Sequence, residues 1–98
     1  MERKVYFLGS KVFILWMISK GVTFDENRIE KKEFEGRTKY SFPFYTDDVH
    51  FKEAREEIRK AKDEHLKLEF PEETTENQLT WKEASDIYYD TLRRKEWK

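Results

Sequence analysis

The strongest constraint on this chain is a run of seven consecutive apolar residues, Val12, Phe13, Ile14, Leu15, Trp16, Met17 and Ile18, lying between Ser10 and Gly21. Elsewhere the chain is polar, with 42% of residues charged and a mean hydropathy of -1.03. Ser10 is suited to accept hydrogen bonds from the free amides of a helix start, and Gly21 to close the helix in the left-handed conformation that a Cβ resists. At roughly 100° per residue, such a run reaches every face of the helix, whereas a surface helix carries one stripe. The helix must therefore be covered from more than one side. What covers it decides which surfaces are left for function.

A chain of 98 residues has the length of one domain with a single modest core. Its large apolar volume is mostly aromatic: eight Phe, five Tyr and three Trp. The 20 Lys and Arg against 21 Asp and Glu give a net charge of -1, so no global field attracts nucleic acid and only local patches can act. The absence of Cys excludes disulfides, thiolate nucleophiles and thiolate metal sites, and suits a reducing, cytoplasmic setting. The apolar run is far shorter than the ~20 residues that span a bilayer and has no small-residue cleavage site after it. A soluble intracellular protein without a membrane partner is expected.

From the N-terminus, Lys4 to Leu8 is β-branched and aromatic and ends at Gly9, which predicts a short buried strand. After the apolar helix, Val22 and Phe24 alternate with Thr23. Ile29 then has the opposite parity and Phe34 returns to the first, which predicts an irregular or bulged segment around Asp25 to Arg28. Glu35-Gly36-Arg37 suits a hairpin turn. The next strand places Tyr40, Phe42 and Phe44 on one face and Ser41 and Pro43 on the other. Pro43 cannot donate to a ladder, so an edge strand, or a strand ending there, is expected.

Thr46-Asp47-Asp48 reads as a helix start, and Phe51, Ala54, Ile58, Ala61 and His65 form one stripe of a charged helix reaching about Leu66. Glu69 to Asn77 is acidic, contains Pro71 and reads as a linker. Thr80-Trp81-Lys82-Glu83 fits a capping box opening a last helix, whose stripe is Ala84, Ile87, Tyr88, Thr91 and Leu92 and which frays after Arg94.

This order predicts an α+β fold: a small mixed three-stranded sheet in β-α-β-β-α order, built from a right-handed crossover and a hairpin, with an additional C-terminal helix. Residues 1–68 form the core and 69–79 the acidic linker. Residues 80–98 form a helix packed on the core or at a subunit interface, which makes a homo-oligomer one outcome. The pattern from YFLGSKVFILWMISKG through the hairpin to YSFPFYTDD resembles a family of small uncharacterised proteins found in phages and prophages. What is similar is an aromatic strand, an apolar helix closed by Lys-Gly, and an aromatic strand leading into a charged helix. The resemblance covers residues 3–66, leaves the last helix outside, and implies a mobile-element origin and a similar fold, with no activity to carry over.

Catalytic chemistry finds little footing. His50 and His65 would stand roughly 22 Å apart along one helix and cannot share a metal. Asp47 and His50 offer one pair of ligands without a second. Asp25, Glu30 and Lys32 are the residue types that hold Mg²⁺ in many nucleases, but such triplets arise by chance in so charged a chain. Ser10, Ser19, Ser41 and Ser85 lie in no nucleophile elbow, and Gly9, Gly21 and Gly36 are too scattered to cradle a phosphate. The chain is therefore read as non-enzymatic, with no catalytic, cofactor or metal residues assigned.

Two binding readings remain. The first is a protein-interaction module that docks on a host or phage protein through Trp16, Trp81, Tyr88, Tyr89 and Trp97, an inhibitor of a host defence nuclease being one concrete form. In the competing reading, the sheet and the last helix consume that apolar surface within the monomer. The second is single-stranded nucleic-acid binding by the hairpin, where Arg28, Lys31, Lys32, Arg37 and Lys39 are interleaved with aromatic residues including Tyr45. Against it, Glu26, Glu30, Glu33 and Glu35 interrupt the basic run, and Tyr40, Phe42 and Phe44 are needed to pack the helices. Phosphate mimicry by Asp47, Asp48, Glu69, Glu72, Glu73 and Glu76 is a further idea, disfavoured because bases accompany most acids elsewhere.

Overall fold

A computed structural model describes residues 3–95. Strand β1 (Val5–Leu8) leads into helix α1 (Lys11–Ser19), and a 3-10 turn (Glu26–Arg28) precedes strands β2 (Glu30–Phe34) and β3 (Arg37–Tyr45). Helices α2 (Phe51–Asp63) and α3 (Trp81–Arg94) follow. The fold is α+β, as the sequence implies. The sheet order is β1-β3-β2 with both ladders antiparallel, so the expected mixed sheet is corrected. The crossover through α1 does carry β1 and β2 in the same direction, but β3 lies between them and no parallel ladder forms.

Strand β3 is central rather than an edge, which corrects the expectation drawn from Pro43. Its first residues pair with β2 as far as Ser41, and Phe42 to Tyr45 pair with β1. On the side away from β1, the Asp25 amide donates to the Pro43 carbonyl at 3.0 Å, while the Asp25 carbonyl accepts from Arg28 within the 3-10 turn. That carbonyl needs no strand donor, so a proline is accommodated in the middle of the sheet. The hairpin turns through Glu35 and Gly36, both at positive φ (51° and 76°), the pair of angles a two-residue type I′ loop requires.

Helix α1 is the hub. Ile14, Leu15 and Met17 are fully buried among Phe42 and Phe44 of the sheet, Phe51, Ala54 and Ile58 of α2, and Ala84 and Tyr88 of α3. Each such side chain contributes about 1.5–3 kcal/mol relative to exposure, so covering on three sides is what makes a wholly apolar helix tolerable. Gly21 (φ 86°) closes it: the Val22 amide donates to Met17 and the Gly21 amide to Ile18, both at 3.0 Å. At the other end Ser10 occupies the cap position, but its hydroxyl makes no capping hydrogen bond, contrary to expectation.

The irregular segment falls where the parity break predicts it. The Asp25 carboxylate accepts from the Asn27 amide and starts the 3-10 turn, which resets the alternation so that Ile29 is buried. The same reset carries Phe34 away from the face of Val22 and Phe24; it is 75% exposed on the other face. Strand β1 is an edge, not the buried strand expected: Phe7 is partly exposed because helices cover only one side of the sheet, and Tyr6, on the helix side against Phe51, is partly exposed at the sheet margin.

Helix α2 begins at Phe51, later than Thr46. The intended cap is used elsewhere: the Asp48 carboxylate accepts from the His50 amide and from the amide and hydroxyl of Thr23, tying the α2 entry to the segment after α1. The helix ends at Asp63, where His65 takes a left-handed φ of 54° and the Leu66 amide donates back to Ala61 at 2.9 Å. His65 therefore leaves the buried stripe and is exposed.

Helix α3 packs on α1 of its own chain. Thr80 caps it by accepting from the Glu83 amide at 3.2 Å, and Ala84, Tyr88 and Thr91 are buried, while Ile87 turns outward at 38% exposure. The connection before it is anchored, not slack. Phe70 meets the edges of Trp16 and Trp81, the Leu79 amide donates to the Ser19 carbonyl at 2.8 Å, and Gln78 donates to the Ser19 hydroxyl.

Candidate functional site

The antiparallel registers sort the sheet into two chemically different faces. Tyr40, Phe42 and Phe44 point to the helices together with their partners Leu8 and Tyr6. The open face then carries Arg37, Lys39, Ser41, Pro43 and Tyr45 of β3, opposite Phe34, Lys32 and Glu30 of β2 and Phe7 and Val5 of β1; Pro43 is fully buried there, and Ser41, Tyr45 and Val5 are half-buried. Two further cations lie over its rings. The Arg3 guanidinium sits 3.7 Å from the Tyr45 ring centre, and that of Arg28 is 6.0 Å from the Phe7 ring.

Two of the four acids that interrupt the basic run in sequence, Glu26 and Glu33, are removed from this face in space. Glu33 points to the opposite side with Lys31, whose Nζ lies 3.8 Å from it. Glu26 is 3.4 Å from Arg94, and its carbonyl accepts from Lys95. Glu30 stays on the open face. Arg28, Lys32, Arg37 and Lys39 have no carboxylate partner among the described residues. Arg3 is paired with Asp47 at 2.6 Å, and the hydrogen bonds between them hold the Asp47 carboxyl below its usual range.

Of the residues the sequence assigns to nucleic acid, the structure brings together Lys32, Arg37, Lys39 and Tyr45, with Arg28 at the margin. Lys31 is separated from them, because one residue of strand reverses the face. Phe34, one of the interleaved aromatics, shares the patch, and Phe7 and Arg3 join it without having been singled out. Alternation within β3 could have flagged Arg37, Lys39 and Tyr45, but the β1 register that adds Phe7 leaves no local mark.

The protein-docking set is dispersed. Trp16 is 6% exposed, held by Phe70 and by an indole N–H donated to Glu57 at 3.3 Å, and Tyr88 is 6% exposed and stacked on Phe42. Neither can serve a partner directly, which corrects that assignment. Trp81 and Tyr89 are exposed, at 42% and 45%, and Trp97 lies outside the described residues. Among the described residues, no cluster of His, Asp and Glu could hold a metal ion, and no helix is long and apolar enough to cross a membrane. No family model, curated protein or solved structure matches the chain.

Proposed function

We propose that this is a non-enzymatic protein that binds single-stranded nucleic acid on the open face of its sheet. The observation that carries the reading is the register: it gathers Lys32, Arg37 and Lys39 with the exposed rings of Phe34 and Phe7 on the face away from the helices, with Tyr45 beneath Arg3 at its end, and sends Phe42 and Phe44 to the core. Of the two objections raised by the sequence, the aromatics needed for packing lie on the other face, and of the interrupting acids Glu33 points away and Glu26 faces Arg94, while Glu30 remains beside the cations. Bases would stack on the exposed rings, each worth about 1–3 kcal/mol, while the cations between them meet phosphates. A splayed strand fits such a surface better than a duplex, whose bases are hidden. Fluorescence anisotropy with labelled oligothymidine and with a duplex of equal length tests this: tighter binding of the single strand, weakened by Phe34→Ala, is expected. Equal affinity for both, or insensitivity to Phe34→Ala, contradicts it.

A second reading rests on a different surface. Val12, Leu66 and Trp81, each more than 40% exposed, line an open depression with Phe13, Leu68 and Phe70. Exposed apolar surface of this kind supports docking on a protein. On that reading the partner is a host or phage protein, such as a defence nuclease, in keeping with the family resemblance. Co-purification of a partner that is lost with Trp81→Glu, with strand binding unchanged, supports it; a partner retained by that variant speaks against it.

A further inference from the structure

We infer that the free edge of β1, with the cleft beside it, is a docking site for an extended acidic segment of another protein, added to the sheet as a further strand. The Thr46 amide donates to the Lys4 carbonyl at 3.0 Å, which fixes the phase of the β1–β3 ladder: Tyr6 and Leu8 turn their backbone groups to Phe44 and Phe42. The amides and carbonyls of Val5 and Phe7 therefore point the other way, and they meet no group of the chain among the described residues. They offer alternating donors and acceptors at strand spacing along an open edge.

The two edges of the sheet differ in kind. The outer strand β2 carries Glu30, Lys31, Lys32 and Glu33, a charged edge of the sort that discourages a further strand. Val5–Leu8 has no charge, and its β-branched and aromatic residues favour pairing. On the helix side of this edge, Tyr6, Leu8 and Met17 line a cleft of about 250 Å³ together with Arg55, Arg59 and Lys62 of α2. The three cations recur on one face of the helix. The Arg55 guanidinium stands 4.8 Å from the Tyr6 ring centre and the Lys62 ammonium 5.5 Å from that of Phe13, and neither has a carboxylate partner among the described residues. The acid lining the cleft is Asp63, which lies 3.8 Å from Arg59.

Backbone and charge together select the occupant. In an added strand, the residues beside Tyr6 and Leu8 point to the cleft, where carboxylates meet Arg55, Arg59 and Lys62, and the alternate residues lie beside Phe7. A phosphate chain has acceptors for the Val5 and Phe7 amides but no donors for their carbonyls, whereas a peptide supplies both. A second copy of this chain fits less well. Antiparallel pairing of β1 with its own copy about a two-fold axis keeps both helix layers on one side of the sheet, which sets the cations of α2 against the same cations of its mate. The site is separate from the cations of the open face and from the depression around Trp81.

The test follows amide resonances and amide hydrogen exchange of the full chain while titrating a short capped peptide of alternating valine and glutamate, and the same peptide with lysine for glutamate. In the free protein the Val5 and Phe7 amides should exchange faster than those of Tyr6 and Leu8. The glutamate peptide should shift the Val5 and Phe7 amides saturably and slow their exchange, and the lysine peptide should bind more weakly. Val5→Pro removes an outward donor without touching the ladder to β3 and should weaken binding about tenfold. Arg55→Gln with Lys62→Gln changes only exposed side chains and should weaken it about fivefold. Absence of saturable binding, equal binding of the two peptides, or indifference to the double variant overturns the site. Protection of Val5 and Phe7 in a dimer of the chain alone makes a second copy the occupant, and protection of the same amides by oligothymidine makes it nucleic acid; either result also overturns the proposal.

Discussion

Lys32 stands directly opposite Lys39 across the β2–β3 ladder, and neither ammonium has a carboxylate partner among the described residues. Like charges facing each other across antiparallel strands destabilise the pair by about 0.2–1 kcal/mol. A fold that keeps such a pair on an open face gains from an anion lying between them. Lys32→Thr should therefore raise stability by roughly that amount and weaken strand binding several-fold. Urea denaturation and anisotropy on the same variant check both; lower stability would show that the two lysines do not repel.

The core account concerns Leu15, which is fully buried, and Val12, three residues earlier on the same helix and 42% exposed. A buried, unpaired carboxylate costs several kcal/mol against a total stability of about 5–15 kcal/mol. Leu15→Asp should abolish cooperative unfolding, whereas Val12→Asp should leave the midpoint nearly unchanged. Thermal melts of both variants test the contrast.

Asp48 joins the segment after α1 to the entry of α2. Partial burial pushes its carboxyl up, but hydrogen bonds from the His50 amide and from the Thr23 amide and hydroxyl outweigh it, and its pKa lies below the usual 3.8. A depressed carboxyl contributes stability that is present above the unfolded value and lost as pH falls through the folded one. Asp48→Ala should cost about 1 kcal/mol at neutral pH, and the gap to the parent should close in strong acid. A constant gap down to about pH 2 would mean the ionised form is not what is stabilised.

Truncation after Pro71 removes α3 and with it the cover over Phe42 and one side of α1. The shortened chain should lose cooperative folding or aggregate, as expected of an element packed within its own chain. A stable, folded monomer would contradict the contact between α1 and α3.

Much of this architecture is readable in the sequence because local chemistry marks it. The run from Val12 to Ile18 has to be covered on several sides; the opposed parity of Val22 and Ile29 announces an irregular segment, which is the 3-10 turn; Glu35-Gly36 and the Thr80 cap stand where turn and cap residues predict them. What failed depended on neighbours remote in sequence. Pro43 is central because the Asp25 carbonyl is already engaged by Arg28, and Asp48 is drawn from the helix start by Thr23. Trp16 and Tyr88 read as interface anchors by residue type, yet Phe70, Glu57 and Phe42 take them into the interior. The open face emerges only when the β1 register sets Phe7 opposite Pro43.

The most direct measurement of the central claim is the salt dependence of oligothymidine binding for the parent and for a Lys32→Gln/Arg37→Gln double variant. Single-strand affinity falls with log salt at a slope of about -0.7 per phosphate neutralised. If these side chains meet phosphates, the double variant should bind more weakly and its slope should be shallower by roughly 1.4, two contacts' worth. A parent that does not bind at low salt, or a double variant with an unchanged slope, would contradict the assignment of the open sheet face to nucleic acid.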